Sequence, residues 1–178
     1  MSTLTAKISG SGGTGAAKGA PAAQVAPFIL PSFPFAVRSV SVVPSPLLKP
    51  DQVIAIQLKA LNDNDNPYKN FGIEQTWEFA HPQNRKFTGP IENFTKMMFS
   101  SSYVKMINHN KHKINLIQIS NNIAFYFIEI IDKDGTRLGF NWIVERVLVK
   151  GEFYNCWMTV SAVSYTHLRA HETLRYLV

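Results

Sequence analysis

At 178 residues, 46% hydrophobic and 17% charged, the chain has the length and composition of one globular domain. A single cysteine, Cys156, excludes an intramolecular disulfide framework and a multi-cysteine zinc site. The net charge of +6 does not mark a nucleic-acid surface, because residues 51–164 carry 12 basic and 11 acidic side chains and the excess belongs to the ends.

In residues 1–50 there are five glycines, seven prolines and no acidic residue. No helix or strand period runs through residues 1–40, so they are expected to be disordered. The lack of acids fits a transit peptide with a plastid destination; an untargeted tail on a cytoplasmic protein is the alternative. Gly10, Gly12 and Gly15 match the dinucleotide-binding spacing, but proline-rich sequence follows instead of a helix, so the match is accidental.

From Pro50 the pattern changes. Ile54, Leu58 and Leu61 recur at helical spacing behind Pro50 and Asp51, which suit a first turn. The polar run Asn62 to Asn66 ends that helix. Ile73, Trp77 and Ala80 predict a second helix stopping before Pro82. A third begins at Gly89-Pro90 with Ile91, Phe94 and Met98 on one face. The period then becomes two, and strands are predicted over 114–119, 123–131, 138–148 and 153–163. Asp132 to Gly135 reads as one hairpin turn, and Lys150-Gly151-Glu152 as another. The expected architecture is α+β, with three N-terminal helices on a curved antiparallel sheet of about four strands. Both faces of 123–131 are apolar, so a partner subunit is expected on the face the helices leave, making a homodimer through the sheet.

No motif fixes a chemistry. Asp63 and Asp65 start like a calcium loop, but Pro67 and Tyr68 stand where an oxygen ligand and a glycine are needed, so a polar turn is expected. His109 and His112, beside Lys111 and Lys113, suit a solvated loop, and His81 a helix cap. Cys156 is expected buried and inert. No metal site and no cofactor site is read. Glu129 and Glu145 are the acids best placed for proton chemistry, with ion pairs to Lys113 or Arg146 as the plainer role. No apolar run is long enough for a membrane span.

Several stretches together resemble a family of unknown function, DUF4864. They are Ser45-Pro46 through Asp65, Gly72-Ile73, Trp77-Glu78-Phe79-Ala80, Pro82-Gln83-Asn84-Arg85, Thr88-Gly89-Pro90, Phe94, Met97, Tyr103, His109 and Cys156-Trp157-Met158-Thr159. The order and spacing hold from Ser41 to Val160, within a domain bounded at 41–163. His81 departs where a small residue is usual, and Asn155 where glycine is common. The resemblance implies a cone like those of the cystatin-like and nuclear-transport-factor-2-like (NTF2-like) folds, and brings no established activity. The signature residues Asn84, Arg85, Thr88, Gly89, Pro90, Cys156, Trp157, Met158 and Thr159 read structurally. Trp77, Tyr103, His109 and Trp157 are the candidate pocket.

Residues 164–178 resemble translated adapter sequence, with a short terminal helix as the alternative reading, so His167 and His171 support no site. The expected function is a non-catalytic ligand-binding or assembly domain taking a small apolar ligand. The alternative is a cone-type isomerase or dehydratase using a cavity acid or histidine.

Overall fold

The structure, a computed structural model, describes residues 41–165. The expected transit segment, the glycine triplet and the tail histidines lie outside the described residues. Four helices precede the sheet: α1 (Pro50–Asn62), α2 (Phe71–Glu78), α3 (Pro82–Thr88) and α4 (Ile91–Met98). A 3-10 turn, Val104–Met106, leads into β1 (Lys111–Ile119), β2 (Ile123–Ile131), β3 (Arg137–Arg146) and β4 (Trp157–Tyr165). The strands form an antiparallel meander in the order β1-β2-β3-β4.

The expected count of three helices is corrected to four, and the extra one is α3. It buries no residue, so it carries no apolar stripe for periodicity to reveal. Its start is local chemistry instead: Pro82 occupies the first turn, and the His81 ring nitrogen accepts the Gln83 N–H at 3.2 Å. His81 thus caps the start of α3, where the end of α2 was expected. Thr88-Gly89-Pro90, expected as a helix start, is the joint between two helices. Thr88 closes α3, Gly89 (φ 81°) donates its N–H to the Arg85 carbonyl at 3.0 Å, and Pro90 precedes α4.

On α1, Val53, Ile54, Leu58 and Leu61 are fully buried against the sheet. Their sheet partners on one face include Tyr126, Ile128, Ile130, Phe140, Trp142 and Val144. The polar run after α1 is a clasp. The buried Asn64 side chain accepts the Ile73 N–H at 3.1 Å and its backbone carbonyl accepts the Gly72 N–H at 2.9 Å, fixing α2 against the end of α1. From the other side, Asn108 donates its N–H to the Leu61 carbonyl at 2.6 Å and accepts the Asn64 N–H at 2.9 Å. Gly72 sits where α1 and α2 touch; a Cβ there would lie 2.7 Å from the Ala60 carbonyl carbon.

The first hairpin turns where expected. Asp132 accepts the Asp134 and Thr136 N–H groups at 2.9 and 2.8 Å, and Gly135 takes φ 81°. The second connection is longer than a tight hairpin, because β3 ends at Arg146 and β4 begins only at Trp157. Within it, Val147 and Cys156 pack with Met158 and Phe153 in a small second cluster. β4 runs on through Tyr165, past the boundary expected at residue 163, and pairs Ser164 with Phe140.

The second face of β2 carries Phe125, Phe127 and Glu129, all half-buried. Phe127 meets Tyr165 edge-on at 6.4 Å. Among the described residues, no helix is long and apolar enough to cross a membrane.

Candidate functional site

Between α1, α2, α3 and α4 on one side and β3 and β4 on the other lies a cavity of about 230 Å³. Its wall is mostly apolar, built by side chains such as Leu61, Phe94, Met97, Met106 and Trp142, with the exposed Phe87 at its edge. A bulge opens the sheet here: Ile143 pairs with Ser161 but Val144 pairs with Thr159, so Val160 is left over.

A polar relay crosses the buried end of the cavity. The Trp142 indole N–H donates to the Thr159 hydroxyl at 3.0 Å, and that hydroxyl donates to Gln57 Oε1 at 2.7 Å. Gln57 Nε2 then donates to the Thr76 carbonyl at 3.0 Å. The direction is fixed at both ends. An indole N–H can only donate and a carbonyl can only accept, so Thr159 and Gln57 have one arrangement each. The Thr159 backbone is tied as well, accepting the His81 N–H and donating to the Phe79 carbonyl, both at 2.8 Å. This parallel bridge joins the end of α2 to β4.

Three more hydroxyls on the wall are pinned to carbonyls, the first being Thr76, which donates to Gly72 at 2.8 Å. Tyr103 donates to Ala162 and Thr88 donates to Asn84, each at 2.9 Å. Among the described residues, no Asp, Glu, His, Cys, Lys or Arg lines the cavity. Its polar groups are neutral hydroxyls, amides and backbone.

The four residues expected to form a pocket are placed apart. Tyr103 lines the cavity and stacks on Phe140 at 6.5 Å. Trp77 packs on Phe94 at 5.0 Å, and Arg85 lies over its ring at 5.2 Å. Trp157 lines a separate, open groove with the start of α1, Tyr126 and Arg146, whose guanidinium stacks on it at 4.8 Å.

His109 was expected in a solvated loop and is instead only 2% exposed. One ring nitrogen faces the Met106 carbonyl at 2.7 Å and must donate to it; the other meets His112 at 2.7 Å. Burial holds the His109 pKa below the usual histidine range, against an opposing pull from the Met106 hydrogen bond and with a smaller push from His112. Burial also lowers His81, against a smaller opposing pull from Glu145. Glu129 accepts from Asn115 at 3.0 Å and lies 4.0 Å from Lys113, its partner across β1 and β2.

Among the signature residues, Asn84 donates to the Thr159 carbonyl at 3.3 Å. Arg85 donates to the Trp77, Glu78 and Ala80 carbonyls at 3.0, 2.9 and 3.0 Å, closing the end of α2. Trp157 joins the main core, while Cys156 and Met158 join the second cluster. Burial pushes the Cys156 thiol pKa up, the opposite of an activated nucleophile. Among the described residues, no three His, Cys, Asp or Glu side chains gather as a metal site.

Gln57 and Thr76 did not emerge from the sequence. A signal for Gln57 existed: with Val53 and Leu61 it completes a four-residue repeat along the buried face of α1, and a polar residue on such a stripe needs an internal partner. Compared with known protein families, with curated proteins and with solved structures, the chain matches none.

Proposed function

We propose that the domain is a non-catalytic binding module that holds a small, uncharged, mostly apolar molecule in the cavity beside Trp142. The observation that carries this reading is the make-up of the wall: apolar side chains around neutral polar groups and, among the described residues, no carboxylate, imidazole, amine, guanidinium or thiol. A volume of about 230 Å³ suits a ligand below drug size. The alternative, an isomerase or dehydratase, needs a proton carrier within hydrogen-bond reach of the bound molecule. Glu129, Glu145, His81 and His109, the residues best suited to that task, do not line the cavity, and the Tyr103 phenol, which does, spends its hydrogen on the Ala162 carbonyl.

The resemblance to the DUF4864 family and to NTF2-like or cystatin-like cones belongs to this reading and rests on the sequence stretches between Ser41 and Val160. A plastid destination rests on the acid-free N-terminus alone. Assembly into a homodimer through the sheet is favoured by the half-buried Phe125 and Phe127 on the face away from the core. Light scattering giving a monomer mass would remove it.

Calorimetric titration of the full chain with 4-propylphenol and with propylbenzene tests the binding reading. Saturable binding of either, lost in a folded Met97→Trp variant that fills the cavity, is expected. Binding of neither, or binding unaffected by that variant, would overturn it.

A further inference from the structure

We infer that the ligand of this cavity carries a hydroxyl group and no charge, an apolar alcohol or phenol of single-ring size; this rests on the cavity being a binding site. The hydroxyl hydrogens of Tyr103 and Thr88 are committed to the Ala162 and Asn84 carbonyls, which can only accept. The Thr159 hydrogen is committed to Gln57, whose orientation the Thr76 carbonyl fixes. These three hydroxyl oxygens, and that of Thr76, whose hydrogen goes to the Gly72 carbonyl at 2.8 Å, therefore meet a ligand as acceptors. Ser161, paired with Ile143, sits on the other face of the sheet from Trp142 and Ala162. The side-chain amides of Gln57 and Asn84 each spend one hydrogen, on the Thr76 and Thr159 carbonyls, and each keeps a second.

A hydroxyl is the smallest group that answers both needs, donating to a pinned oxygen and accepting from an amide hydrogen. An ether or ketone cannot donate. A carboxylate or phosphate cannot donate either, and it would enter an apolar space whose wall, among the described residues, has no cation to offset lost hydration. A hydrocarbon fits but leaves the ring of acceptors unanswered. Size narrows the class further. A cavity of about 150 Å³ takes a benzene ring, so about 230 Å³ holds one ring with a few further heavy atoms.

The test is a matched set titrated into the full chain: 4-propylphenol, its methyl ether 4-propylanisole, propylbenzene and 4-propylbenzoate. The phenol is expected to bind about ten-fold more tightly than the ether or the hydrocarbon, the worth of one good hydrogen bond. The benzoate is expected to bind more weakly than all three. Tyr103→Phe, which removes one pinned oxygen, should cut the phenol's advantage to about three-fold or less. Equal binding of phenol, ether and hydrocarbon, or tightest binding of the benzoate, overturns this inference while leaving the cavity a binding site. An undiminished advantage in Tyr103→Phe and in Thr159→Val together overturns it too. Binding of none of the four overturns the binding reading itself.

Discussion

The Thr159 hydroxyl donates to Gln57 Oε1 at 2.7 Å across 102 residues of sequence, linking the last strand to the first helix in the buried interior. The same oxygen takes the Trp142 N–H, so one hydroxyl satisfies a group on each side. Thr159→Val keeps the shape and leaves the Gln57 oxygen and the Trp142 N–H without this partner. It should destabilise by about 2–4 kcal/mol, since each buried group left unmatched costs about 1–3 kcal/mol. Thr159→Ser, which keeps the hydroxyl, should cost clearly less. Urea unfolding of the two variants checks the order, and equal losses would mean that packing of the methyl group dominates.

Gly72 marks the contact of α1 with α2. A Cβ there would stand 2.7 Å from the Ala60 carbonyl carbon and 2.9 Å from Asn64 Cα, both backbone atoms that cannot swing away. Gly72→Ala should destabilise by about 2–3 kcal/mol through overpacking, although alanine is the better helix former. An unfolding midpoint equal to or above wild type would show that the helices part at no cost.

The architecture was legible where side chains alternate cleanly. The Ile54-Leu58-Leu61 stripe gave α1, and the alternation around Tyr126, Ile128 and Ile130 gave β2 with its inner face. What the sequence hid lies in local chemistry. α3 buries nothing, so only Pro82 and the His81 ring announce it. The burial of His109 follows a residue at positive φ, Asn108 (φ 54°), and long-range bonds to α1, none of which has a periodic signature. The cavity was half legible: Tyr103 and Thr159 stood out through the family resemblance, whereas Gln57 and Thr76 depend on a relay that only the folded chain assembles.

Burial lowers the pKa values of His109 and His81, so both favour the neutral ring in the folded state. In the unfolded chain each titrates near about 6.5. Below that pH the unfolded state binds more protons than the folded one. Stability is therefore complete above about 6.5 and declines as pH falls toward the lowered native values. The urea midpoint should be lower at about pH 5 than at about pH 7.5, and His109→Gln should flatten the decline. A midpoint that rises on acidification would contradict a neutral, buried His109.

Arg85 closes α2 with three carbonyl contacts and lies over the rings of both Trp77 and Phe153, each at 5.2 Å. A lysine has neither the fork nor the flat face for this arrangement. Arg85→Lys should cost about 1–2 kcal/mol, close to Arg85→Ala. A lysine variant as stable as wild type would reduce the role of Arg85 to its charge.

The most direct test of the cavity as a binding site uses the indole N–H of Trp142, which lines it, and of Trp157, which lines the open groove instead. The full chain, labelled with nitrogen-15 at its three tryptophans, is titrated with 4-propylphenol and followed by two-dimensional NMR. The account predicts a saturable shift of the Trp142 resonance with Trp157 unmoved. A stationary Trp142 resonance, or a shift of Trp157 in its place, would contradict it.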